Sequence, residues 1–144
     1  MSIPPPRVQA IAACLLRLAL AATFLSPVGS RLGWWGHGNW TKFLAYTAKV
    51  NSFAPPAVVP TLAVAATALE ATFAICLLVG FHSRLMALGA SGLTLLFALA
   101  MTCSLGLKEP LDYSVFVDTT AALLLATMPE DRWSLDGLLR SRQT

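Results

Sequence analysis

Apolar residues occupy this chain in four blocks, Arg7–Leu25, Ala57–Gly80, Leu85–Leu107 and Tyr113–Met128, separated by one long and two short polar segments. A helix needs about 20 apolar residues to cross a bilayer core. The blocks therefore predict four transmembrane helices, the fourth being the shortest. The short segments, FHSR at 81–84 and KEPLD at 108–112, allow only tight turns. The long one, Ser26–Pro56, has a period of its own. Trp40, Phe43, Leu44, Thr47 and Val50 fall on one helical stripe and Lys42 and Lys49 elsewhere, which predicts an amphipathic helix over about Asn39–Phe53. It is expected to lie across one mouth of the bundle. On the third block, Ala87, Ala90, Ser91, Thr94 and Ala98 form a side of small and hydroxyl residues, the kind of surface that lets membrane helices approach closely. Pro129 ends the fourth block. In the tail 129–144, Ser134 reads as a helix cap ahead of Leu135, Leu138 and Leu139, giving a short surface helix.

The fold class expected is an all-α membrane protein: one domain over 1–144, built as a four-helix bundle with an interfacial helix in the first loop. Composition agrees with the pattern. The chain is 56% hydrophobic and 12% charged, with mean hydropathy +0.68, too few charges to wet the surface of a soluble domain of 144 residues. A net charge of +3 without a basic stripe gives no footprint for nucleic acid. Cys14, Cys76 and Cys103 stand singly inside apolar runs, so they read as core residues rather than as a disulfide framework or a dithiol centre. His37 and His82 fall on opposite sides of the membrane in this topology and cannot share a metal or a haem. Arg17, in the middle of the first block, speaks against a secretory signal core, so that helix is expected to be retained. The side with the termini carries Arg7, Arg84, Arg132, Arg140 and Arg142; the other carries Arg31, Lys42, Lys49 and Lys108. The bias, though slight, favours cytoplasmic termini, with Trp34, Trp35 and Trp40 as interfacial anchors in the first loop.

Depth picks out the candidate chemistry. Arg17 lies ten residues after Arg7, Glu70 ten before Gly80, and Asp118 ten before Met128. At about 1.5 Å per residue each sits roughly 15 Å into its helix, the middle of a hydrocarbon core about 30 Å thick. Counting ten from Arg84 reaches Thr94. A lone charge at that depth costs about 2.5–3.5 kcal/mol, so the groups are expected to meet inside the bundle. Arg17 with Glu70 is the expected ion pair. Asp118 then either shares the guanidinium or holds a proton beside Glu70. These three are the candidate catalytic residues, and Thr94 and Thr67 the candidate hydroxyls for a bound cofactor. The same pair could also serve only to fix helix register.

Arg17, then Glu70 followed by LLVGFHSR, then LMALGAS at the start of the third block and the closing RWSLDGLL together resemble the DoxX-like family of small bacterial membrane proteins. The resemblance implies a four-helix bundle in the bacterial inner membrane, associated with thiosulfate:quinone oxidoreductase or with complexes of thiol and oxidative stress. It matches Arg17 and Glu70 to the family's polar core, whereas Asp118 rests on depth alone. The tryptophan-rich first loop is longer than the family pattern.

Two functions follow. One is a redox-linked subunit whose polar layer binds a quinone head group or passes its protons. With no haem, flavin or iron–sulfur ligand set in the sequence, its electrons come from a partner or a bound organic cofactor. The other is a non-enzymatic anchor or assembly subunit that docks other membrane subunits through its outer helix and tryptophans. A carrier has less support, since no internal repeat is visible.

Overall fold

The computed structural model describes residues 6–34, 36, 38–128 and 133–137. Expectations placed on Trp35, His37, Pro129, Arg132, Leu138, Leu139, Arg140 and Arg142 lie outside them. The described residues form helices and no strand: α1 Pro6–Leu32, α2 Trp40–Val50, α3 Val59–Val79 entered through a 3-10 turn at Pro56–Val58, α4 Ser83–Leu105, α5 Lys108–Asp112 and α6 Val115–Thr127.

The first helix departs most from expectation. It runs seven residues beyond Leu25, carrying Pro27 inside it. Proline removes one backbone donor, but a membrane helix tolerates the loss where neighbouring helices pack against it, and the carbonyls of Gly29 and Ser30 near the helix end accept the N–H groups of Trp34 at 2.9 Å and Asn39 at 3.2 Å. Arg31, expected in a loop, therefore stands in the last turn of α1.

The α3–α4 turn follows from Gly80. Its left-handed φ of 73° lets the Phe81 N–H reach the Cys76 carbonyl at 2.9 Å and the Gly80 N–H reach Leu77 at 3.2 Å, a helix-ending arrangement that a β-carbon would strain. The tail closes the same end. Ser134 Oγ accepts the Gly137 N–H at 3.0 Å, as its expected capping role requires. Asp136 accepts the N–H groups of His82 and Ser83, each at 2.9 Å, and so caps α4 from outside the helix.

α1 packs chiefly on α3 and α4 chiefly on α6, while smaller α3–α4 and α1–α6 contacts close the ring. Phe24 meets Phe73 edge-on with centroids 6.3 Å apart. The small-residue side of α4 is inside as expected: Ala87, Ala90, Ser91, Thr94 and Ala98 are all buried. A β-carbon on Gly89 would stand 2.7 Å from the Phe73 ring, so any larger residue there would have to push that ring aside.

Arg7–Leu32, Pro56–Val79 and Ser83–Leu105 are each long and apolar enough to cross a membrane. α6 is apolar but has 13 residues, about 20 Å of helix. The outer face is apolar too: Leu15 is 62% exposed, Ile75 57%, Leu85 59% and Leu96 65%, a surface consistent with contact to lipid.

Candidate functional site

Glu70 is buried in the middle of α3, and its partner is Arg31. The guanidinium meets both carboxylate oxygens: Nη1 bonds Oε2, and Nη2 lies 3.4 Å from Oε1. Nη1 also donates to Thr67 Oγ1 at 2.9 Å, and that hydroxyl donates to the Ala63 carbonyl at 2.9 Å. Over the guanidinium sits the Phe43 ring of α2, 3.6 Å from centroid to Cζ. Such a forked, stacked contact suits arginine and would not survive replacement by lysine. Thr67 and Glu70 are three residues apart on α3, so one face of that helix presents both acceptors to a single cation.

The pair forms part of the wall of a cavity of about 550 Å3 between α2, α3 and α4. Apart from Arg31, Glu70 and a few α2 polar groups, its lining is aliphatic and aromatic. On the α2 side Thr47 donates to the Phe43 carbonyl at 2.8 Å and the Asn51 amide to the Thr47 carbonyl at 2.9 Å, while Tyr46 brings a phenol to the same wall. The wall includes Leu62, Leu69, Leu96 and Leu99, all of them exposed, so the cavity is open along its α3–α4 side. Size, apolar lining and a small number of polar groups are the ordinary features of a small-molecule site.

Arg17 does not join this pair. It is buried at the other end of α3, where Nη1 donates to the carbonyls of Leu77 at 2.6 Å and Leu78 at 2.9 Å and Nη2 to that of Trp133 at 3.4 Å. Those α3 carbonyls lie in its last turn, where Leu77 otherwise receives only the Gly80 N–H at 3.2 Å, so the cation helps to close the helix end and ties the tail to it. Leu77 is seven residues past Glu70, about 10 Å along the helix. The expected Arg17–Glu70 pair fails because α1 is longer than its hydrophobic block: counting depth from Arg7 put Arg17 at mid-layer, whereas its neighbours place it at the α3–α4 turn. The α1 side chain that reaches Glu70 is that of Arg31.

Asp118 is half-buried in the first turn of α6, on the stripe of Ala122 and Leu125, and among the described residues its carboxylate makes no hydrogen bond or ion pair. It neither shares the guanidinium nor lines the cavity. Thr94 is buried but turned toward α6, where Thr119 Oγ1 lies 3.0 Å from its hydroxyl and Ser91 Oγ donates to the Thr119 carbonyl at 2.9 Å. Its neighbour Leu93 faces the cavity instead. The expected single polar layer is thus two clusters, Arg31–Glu70–Thr67 and Ser91–Thr94–Thr119. The three cysteines are free; Cys14 Sγ lies 4.0 Å from Arg17, and Cys103 borders the cavity. Among the described residues no cluster suits a metal ion.

Arg31 and Phe43 are the site residues that sequence reading missed. One signal was available: Arg31 follows Arg17 by fourteen residues, nearly four helical turns, and shares its face if the helix continues. No family model, no curated protein and no solved structure matches this chain.

Proposed function

We propose that this chain is a four-span, DoxX-like protein of the bacterial inner membrane that acts as the small, quinone-associated subunit of an oxidoreductase system. The observation that carries the reading is the buried Arg31–Glu70 pair set in the wall of an apolar cavity open along its α3–α4 side. A quinone is a lipid-soluble molecule with carbonyl acceptors, and the site offers an apolar cleft with one guanidinium at its wall. Glu70, held beside that cation, is the group able to exchange a proton with a reduced head group. α5 with α6 supplies the fourth crossing, and the termini face the cytoplasm. Roles follow the geometry: Arg31 and Glu70 at the ligand, Thr67 and Phe43 positioning the guanidinium, Arg17 organising the opposite end. The test is quinone-coupled turnover of the natively purified complex. Glu70→Gln is expected to lower it at least about 100-fold, the usual scale of a lost acid–base group, with the protein still assembled. Unchanged turnover removes Glu70 from the mechanism.

The accessory reading is favoured by Trp34 and Trp133, exposed at 57% and 60% near opposite ends of the bundle. In that reading Trp34→Ala releases the protein from its complex and Glu70→Gln alters stability alone.

A further inference from the structure

The Arg31–Glu70 pair has a consequence for ligand choice that holds whether or not electrons pass. The guanidinium and the carboxylate cancel, so the cavity wall is net neutral, while the Arg31 bonds to Glu70 and Thr67 use three of its five N–H donors and the Tyr46 hydroxyl stands on the same wall. An anionic head would have to displace Glu70 from Arg31, leaving a carboxylate buried without its cation in an apolar cleft. A neutral carbonyl needs only a donor and leaves the pair intact. We infer that the cavity binds an uncharged lipophilic molecule with a carbonyl-type acceptor, entering from the bilayer between α3 and α4, and that Glu70 is the specificity residue that excludes fatty acids and other anionic lipids.

The inference shares with the proposed function the claim that the cavity holds a ligand, but not the claim of electron transfer. Its test therefore uses a probe that cannot be reduced there. Cys103 borders the cavity, whereas Cys14 and Cys76 do not line it, so the native thiols provide one reporter and two internal references. The full-length protein in lipid nanodiscs is treated with a lipophilic maleimide, and modification of each cysteine is followed by peptide mass spectrometry. The competing probes are a dodecyl methyl ketone and the carboxylate of the same chain length, at a pH where the latter is ionised.

Expected is selective slowing at Cys103 by the ketone, about tenfold at ten times its dissociation constant, with Cys14 and Cys76 unaffected and the carboxylate much weaker. In Glu70→Gln the guanidinium loses its counter-charge, and the carboxylate's half-protecting concentration is expected to fall about tenfold or more. The wild-type comparison stands even if that variant does not fold. Equal protection by both probes, better protection by the carboxylate, or no protection by either overturns the proposal. A folded Glu70→Gln that gains nothing for the carboxylate overturns the role given to Glu70. Ketone protection in wild type alongside unchanged quinone turnover in Glu70→Gln would retain the ligand site and reject its redox use.

Discussion

At the scale of single residues, the pair at the cavity wall is held by several partners at once. The side chains of Arg31 and Glu70 are 10% and 6% exposed, so removing one strands the other away from water. Arg31→Gln or Glu70→Gln is expected to cost about 3–5 kcal/mol, while replacing both together by methionine costs less than either single change. A double-mutant cycle on unfolding in mixed micelles measures this, and additive single costs would mean the contact is not energetically coupled. Glu70 was legible because an acid inside an apolar run demands a cation. Its cation was not, because the five residues SPVGS before Arg31 have the composition of a turn. What keeps them helical is the burial of Val28 and Gly29 within the bundle, a tertiary fact no local pattern carries.

At the scale of elements, the periodic signals read true. The stripe expected to face inward on α2 does so: Thr47 and Val50 are buried, Trp40, Phe43 and Leu44 are half-buried, and Lys42 and Lys49 are exposed. Val50→Asp is therefore expected to destabilise by about 2–3 kcal/mol and Lys49→Glu by less than about 0.5 kcal/mol, both read from thermal unfolding. Equal effects would contradict the packing of α2 on α3 and α4. The small-residue side of α4 was legible for the same reason, since helix contact is written in side-chain size at fixed spacing. Helix ends were less so: α1 overran its block, and with it the depth count that placed Arg17 beside Glu70.

At the scale of the whole molecule, the tail is joined to the bundle at the α3–α4 turn. Burial pushes the Asp136 carboxyl up, but the backbone N–H groups of Ser83 and His82 outweigh it and hold that carboxyl below its ordinary value. A depressed carboxyl stabilises the fold above its unfolded value, about 3.9, and that contribution is lost as the pH falls through the lower folded value. Asp136→Asn is expected to lower stability at neutral pH by about 1 kcal/mol and to flatten the acid limb of the pH–stability curve. An unaltered acid limb would assign that limb to other carboxylates. Further along the same two helices the packing depends on a missing side chain. Gly89 lets the Phe73 ring lie against α4 one turn beyond Glu70, so the two helices are close there, and the cleft wall on α4 runs from Leu93 to Cys103, ten residues and a depth of about 15 Å. A guest longer than this depth must leave its surplus outside among the acyl chains, so the bundle measures its ligand as well as holding it.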